Sequence, residues 1–322
     1  MVRMLSSGCA GPGPRCHHDP AGRQTPEPVD CATHELGESL NIQLRPVPPC
    51  PTRCRTTTCY SVRDTSVQGF PPSISMRLLL YNIRYATGTG PRFHFPLPGI
   101  GYLRNTSRNL ARITEFIHAM SPDVVGLVEV DMGSMRSDTV NQAEAIAKAI
   151  GHSPRYQSKY GTSSINRRLP IVRKQGNAFL TSLPNAVQRF HYFELGIKRL
   201  IMELELDDVC LFLVHLSLNY RHRHRQMHHL FSLIRSAHKP VIVAGDFNTL
   251  WGNYEIELFA AAAGLQNANI HNSPSWPSRH PARQLDFILY GPGITMTHFE
   301  LPHVTLSDHL PLVCDFEITR NS

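Results

Sequence analysis

The chain has 322 residues, 41% of them hydrophobic, enough apolar material for one large domain or two small ones. Its apolar runs are short and bounded by Gly, Pro or Asp, far below the roughly 18 consecutive residues of a membrane span, which excludes a helical membrane protein. The formal net charge of +7 suits a polyanionic partner, whether nucleic acid, an anionic lipid surface or a phosphorylated metabolite, without choosing among them.

The chain divides near Met76. Residues 1–75 hold 11 of the 25 prolines, few aromatics and no sustained hydrophobic periodicity, so a disordered N-terminal extension is expected there. Six of the 8 cysteines (Cys9, Cys16, Cys31, Cys50, Cys54, Cys59) lie in this stretch, and Cys210 and Cys314 stand alone in apparent strands. That is no disulfide scaffold, and the 50-54-59 spacing lacks the paired knuckles and histidines of a zinc site. Met1-Val2-Arg3-Met4-Leu5 runs directly into Ser, Gly and Pro without an apolar signal core, so a cytoplasmic monomer with reduced thiols is expected. Residues 76–322 are expected to form the catalytic domain, with Met76 as its natural start.

From Met76 the signals alternate. The pattern predicts a strand over Arg77–Ile83, then a helix over Asn105–Met120, where Leu110, Ile113, Phe116, Ile117 and Met120 recur at helical spacing. A buried strand at Val124–Val130 and a helix at Asp138–Ile150, closed by Gly151, follow. Strands are predicted at Asn177–Thr181, Leu200–Leu206 and Val209–Leu216, the last two joined through Asp207-Asp208 as a hairpin. Then come a helix at Tyr220–Ser236, a strand at Val241–Gly245, a helix at Glu255–Ala263, and strands at Leu285–Tyr290, Ile294–Leu301 and Pro311–Ile318. Hairpins mixed with helical crossovers indicate an α/β layered domain with mixed sheets.

Polar residues gather at the ends of these strands: Asn82, Glu129, His215, Asp246 with Asn248, Asp286, and Asp308-His309. A sheet rim is where a rigid scaffold holds reactive groups within reach of water and substrate. Two hard carboxylates and an amide oxygen, Glu129, Asp308 and Asn82, suit Mg²⁺ or Mn²⁺, which prefer oxygen ligands. The remaining Asp, Asn and His groups can activate and orient a water and stabilise a leaving oxygen. Asp286 between Leu285 and Phe287 is a costly place for an unpaired carboxylate, and His309 would relieve that cost.

Seven segments occur in one order: Leu80-Tyr81-Asn82-Ile83, Val125-Gly126-Leu127-Val128-Glu129-Val130, Gly176-Asn177-Ala178-Phe179-Leu180-Thr181-Ser182, Val214-His215-Leu216-Ser217-Leu218, Gly245-Asp246-Phe247-Asn248, Gln284-Leu285-Asp286-Phe287-Ile288-Leu289 and Leu306-Ser307-Asp308-His309-Leu310-Pro311-Leu312. Together they resemble the DNase I-like endonuclease/exonuclease/phosphatase superfamily over about residues 76–320. The resemblance implies a four-layer sandwich, two mixed β-sheets packed face to face and flanked by helices, and a divalent-metal-dependent hydrolase of phosphodiesters or phosphomonoesters. It assigns Asn82, Glu129 and Asp308 to the metal, Asp246 and Asn248 to positioning of water and phosphoryl group, and water activation either to His309 paired with Asp286 or to Asp246. It assigns His215 to the phosphate and leaving group, and Asn177 to the substrate side.

The run Arg221-His222-Arg223-His224-Arg225-Gln226-Met227-His228-His229 reads as the exposed start of a helix, since its arginines repel a metal cation. Because it follows the His215 strand, Arg221 is expected to approach substrate phosphates. The Val214-His215-Leu216-Ser217 motif resembles the lipid-acting and general branches, so a phosphodiesterase acting on a phospholipid headgroup or other small phosphodiester is the first expectation. A DNA or RNA endonuclease or exonuclease is the alternative, with loops Gly88–Asn105 and Tyr160–Lys174 available for nucleic acid. A non-catalytic scaffold ranks last because none of the site residues is missing.

Overall fold

Leu78-Leu79-Leu80-Tyr81 bury every side chain, which requires a strand covered on both faces. They belong to β1 (Ile74–Asn82) of the computed structural model, which describes residues 74–89, 106–158, 174–193 and 200–319. The remaining residues, including the six N-terminal cysteines and most of the two long loops, lie outside the described residues. β1 begins two residues before Met76, with Ile74 opposite Ile318 and Ser75 opposite Glu317. The inward-facing series Met76, Leu78, Leu80 thus extends back to Ile74, which packs on the same core.

In chain order there follow α1 (Ser107–Met120), β2 (Val124–Asp131), α2 (Gln142–Ile150), β3 (Ser153–Ser158), β4 (Gln175–Thr181), β5 (Val187–Tyr192), β6 (Leu200–Glu205), β7 (Cys210–His215), α3 (Tyr220–Ser236), β8 (Val241–Asp246), α4 (Tyr254–Ala263), β9 (Gln266–Asn267), β10 (Asp286–Tyr290), β11 (Ile294–Glu300) and β12 (Leu312–Ile318). One six-stranded sheet runs β11-β12-β1-β2-β4-β3 and the other β5-β6-β7-β8-β10-β9. Leu80, Leu213, Ile242, Ile288 and Phe316 fill the space between the sheets. On the far side of the first sheet, Leu79, Val125 and Leu127 meet Ile113, Ile117 and Ile146 of α1 and α2. Phe212, Val243 and Phe287 meet Leu230, Ile234 and Phe259 of α3 and α4 on the far side of the second. Alternate residues of each buried strand therefore face a helix layer and the other sheet, which makes the expected four layers. Among the described residues no helix is long and apolar enough to cross a membrane.

The helix expected from Asp138 starts instead at Gln142. Asp138 and Thr139 hold left-handed φ of 51° and 62°, and the Asn141 side chain accepts the Ala143 N–H as the N-cap. Three strands escape the sequence pattern, β3, β5 and β9, and all lie at or next to solvent as sheet edges. An edge strand covered on one side carries mixed side chains, such as Val-Gln-Arg-Phe-His-Tyr in β5, and shows no clean alternation.

The topology decides where functional groups go. β1 and β2 are parallel, as are β7 and β8, each pair linked across a helix, so their C-terminal ends share one rim. β4, β10 and β12 run antiparallel to a member of these pairs, so their N-terminal ends meet the same rim. Gly245 is needed there for close approach: with φ 156°, a Cβ on it would lie 2.0 Å from the Val214 carbonyl oxygen of the adjoining strand. Gly245→Ala is expected to cost on the order of 3 kcal/mol of stability through displacement of β8 from β7. An unchanged urea midpoint would show that the strands yield without cost.

Candidate active site

Asp246 ends β8 and is the hub of the rim. It is buried, and its Oδ1 accepts the Asn248 backbone N–H at 2.9 Å in an Asx turn. Its Oδ2 accepts the Asn82 side-chain amide at 3.0 Å and lies 3.3 Å from His215 Nε2. Asn248 holds a left-handed φ of 55° and its amide donates to the Leu216 carbonyl at 2.9 Å. The hub thus joins residues from both sheets: Asn82 from β1, His215 from β7 and Asp246 from β8.

Glu129 reaches the hub through a break in β2. Val128 faces the inter-sheet core, yet Val130 faces the helices, and the register with β4 shifts between Leu127 and Val130. Glu129 is the extra residue of this bulge, at a left-handed φ of 58°. Its carboxylate turns across the sandwich to 3.7 Å from His215 Nε2, and its N–H is 3.4 Å from Asn177 Oδ1.

The third group is the pair expected from the sequence. His309 Nδ1 and Asp286 Oδ2 are 2.7 Å apart, and both residues are buried. Ser275 donates its hydroxyl to the same Asp286 oxygen at 2.7 Å and accepts the Leu285 and Asp286 backbone N–H groups, each at 3.2 Å. Burial by itself disfavours the imidazolium of His309. Asp286, through its charge and hydrogen bond, and the carboxylates of Asp246 and Asp308 more than offset this and hold its pKa up at about 10. Ser275→Ala is expected to lower kcat about tenfold and cost about 1–2 kcal/mol, because Asp286 loses its orienting donor and two buried N–H groups lose an acceptor. Turnover equal to the parent enzyme would leave Ser275 with a packing role alone.

Asp308 lies beside the hub. Its Oδ1 is 3.3 Å from Ser307 Oγ, which donates to the Asn82 carbonyl at 2.7 Å, and its Oδ2 is 3.3 Å from Arg84 Nε. Arg84 begins a turn in which Arg84, Tyr85 and Ala86 have φ of 45°, 55° and 57°, three successive left-handed non-glycine residues. Buried bonds hold this costly turn: Tyr85 accepts from Gln142 through its carbonyl and donates to Gln175 through its hydroxyl, while Asn109 donates to the Ala86 carbonyl. Arg84 and Ser275 are the site members that sequence reading missed. Arg84 follows the Asn82 motif by two residues, and that adjacency was the available signal.

Of the residues named from sequence, Asn82, Glu129, Asn177, His215, Asp246, Asn248, Asp286, Asp308 and His309 meet at one rim. Arg221 does not join the cluster: it is exposed in the first turn of α3. Its neighbour Arg223 turns inward, donating to Glu255 Oε1 at 2.8 Å and to the carbonyl oxygens of Ser217 and Leu218. Trp276 is half-buried with its backbone bonded to Arg283. Cys210 and Cys314 are buried, and burial pushes both thiols up to about 12.

The donor set fits a divalent cation. Four carboxylates, Glu129, Asp246, Asp286 and Asp308, face one guanidinium and two imidazoles, so the site is short of positive charge even with both imidazoles protonated. Ligand atoms of Asp246, Asp286 and His309 also lie within 4.8 Å of one another, a grouping separate from Asn82, Glu129 and Asp308, and the buried Asp286 Oδ1 has no hydrogen-bond partner among the described residues.

Two mixed sheets between helix layers, with this rim, define a DNase I-like hydrolase fold. The profile of the endonuclease/exonuclease/phosphatase family matches residues 79–309, and the chain belongs to that family, whose members are phosphoester hydrolases. A UPF0294 protein of Yersinia pseudotuberculosis is 30% identical over 156 residues, 48% of this chain and 53% of that protein. The chain thus spans about half the length of the curated relatives it matches. An endonuclease/exonuclease/phosphatase of Beutenbergia cavernae has a similar fold, with a TM-score of 0.58 at 18% identity over 76% of this chain and 72% of that one. So has a mannosyl-6-phosphatase of Bacteroides thetaiotaomicron, with a TM-score of 0.54 at 13% identity over 75% and 99% of the two chains.

Proposed function

We propose that the protein hydrolyses a phosphoester by in-line attack of water, with Mg²⁺ or Mn²⁺ held by Asn82, Glu129 and Asp308. The observation that carries this reading is the hub itself: Asp246 bonded to Asn82 and Asn248 and beside His215, within a few ångströms of the Asp286–His309 pair. When bound, the cation supplies Lewis acidity toward a phosphoryl oxygen and offsets the excess of carboxylate charge. With Nδ1 committed to Asp286, and with the charge of a bound cation drawing its pKa down from about 10 toward neutrality, His309 would present an unprotonated Nε2 to accept a proton from the attacking water. Asp246 and Asn248 fix that water's direction of attack. His215 donates toward the phosphoryl group, where charge accumulates as the leaving oxygen departs. No covalent enzyme intermediate is needed.

A phosphodiester of the lipid-headgroup or small-molecule class is the substrate favoured here. The run of basic residues opening α3 supports nucleic acid as the second reading. The test is hydrolysis of bis-p-nitrophenyl phosphate, sphingomyelin, plasmid DNA and inositol phosphates. Chelation by EDTA is expected to abolish turnover and Mg²⁺ or Mn²⁺ to restore it. Glu129→Gln and Asp308→Asn are expected to weaken cation binding in calorimetry by about tenfold or more. Full activity after exhaustive chelation would sink the metal assignment, and inertness toward the whole panel would sink the hydrolase reading.

A further inference from the structure

Leu218, Tyr220, Trp251 and Tyr254 are 55%, 60%, 88% and 72% exposed, which is an unusual concentration of large apolar side chains in water. All four flank the active-site rim. Leu218 and Tyr220 follow His215 at the end of β7, and Trp251 and Tyr254 follow Asp246 at the end of the parallel neighbour β8. The two segments are braced. Buried Arg223 in α3 bonds Glu255 at the start of α4 and the carbonyls of Ser217 and Leu218, while the Tyr220 ring lies 6.0 Å from its guanidinium carbon. Arg283 donates to the Leu250 carbonyl, and Asn253 donates to Gln284 at 3.0 Å. Leu258, 55% exposed, continues the apolar face one turn along α4.

The charge beside this face is basic. Arg221, His224 and Arg225 are exposed, the first turn of α3 carries no acid, and Glu255 is neutralised by Arg223. Glu257 is the exposed acid of the α4 start. Trp and Tyr beside aliphatic Leu, flanked by arginines, is the composition of a surface that settles into an anionic lipid interface. Nucleic acid would use the aromatic rings for stacking but would gain little from Leu218 and Leu258.

We infer that the 218–220 and 251–258 rim docks the protein on an anionic phospholipid surface and presents headgroup esters to the site. The choice of substrate rests on the phosphoesterase reading; the docking surface does not. The full chain is expected to float with phosphatidylcholine vesicles containing phosphatidylserine and to release them at high salt. Trp251→Ala/Tyr254→Ala is expected to weaken this association about tenfold or more, and Arg225→Glu about tenfold. The double variant retains parental turnover of soluble bis-p-nitrophenyl phosphate while its turnover of vesicular phospholipid falls. Failure of the parent chain to bind vesicles, or undiminished binding by the double variant, overturns the inference. So does binding of a single-stranded oligonucleotide that the double variant loses while vesicles are ignored. Vesicle binding that depends on Trp251 and Tyr254, without hydrolysis of any phosphoester, upholds the docking surface and removes the catalytic reading instead.

Discussion

Asp246→Asn is expected to lower kcat by about 10⁴-fold, on the order of 5 kcal/mol of transition-state stabilisation, with little change in the folded structure. The substitution keeps size and shape, and it removes the charge at the point where both sheets meet. Asp246 Oδ2 accepts the Asn82 amide and sits 3.3 Å from His215, so losing its charge disturbs the orientation of Asn82 and of His215 together. An amide placed there also sets a donor against the Asn82 Nδ2 donor or the Asn248 N–H. Stopped-flow or steady-state hydrolysis of bis-p-nitrophenyl phosphate gives the rate, and a urea transition gives the fold. Near-parental kcat in a folded variant would exclude Asp246 from the reaction.

Replacing His309 with Gln is expected to cost about 10³-fold in kcat, and Asp286→Asn a similar amount. The two act as one unit through the 2.7 Å bond, so the double variant is expected to be no worse than either single one. Losses that multiply would show that Asp286 and His309 contribute independently. A second readout does not depend on turnover. In the chelated protein the His309 pKa stands at about 10, above its ordinary 6.5. A group whose folded pKa is raised stabilises the fold fully below the unfolded value and loses that contribution as pH rises through the folded value. The chelated parent should therefore lose stability between pH 6.5 and 10, and His309→Gln should flatten that slope. An unaltered slope would place the titration elsewhere.

The buried elements were legible because their periodicity is local. β1, β2, β7, β8 and β10 are continuous apolar runs, and α3 begins where Asn219 offers its side chain as a cap to His222. β3, β5 and β9 were not, because their short or mixed side-chain runs leave pairing with a neighbour to specify them, whereas β11, also an edge, keeps Ile294 and Met296 in alternation. Within the site, Asp286 was recognisable as a carboxylate needing a partner, and His309 is that partner. Ser275 was hidden in a loop of Ser and Pro whose meaning depends on its distance to Asp286. Position after His215 does not tell Arg221 from Arg223: the fold leaves Arg221 exposed in the first turn of α3 and turns Arg223 in to Glu255.

Apolar period and strand-end polarity, which reside in contiguous segments, carry the α/β class with mixed sheets and the residue types of the site, and the order of the motifs carries the family and the four layers it implies. Tertiary structure decided what those residues do to one another. Parallel pairing of β1 with β2 and β7 with β8 brings distant strand ends to one rim, a bulge turns Glu129 toward the opposite sheet, and a left-handed turn sets Arg84 against Asp308. These are long-range or strained arrangements, stabilised by contacts between segments far apart in the chain, and no local pattern encodes them.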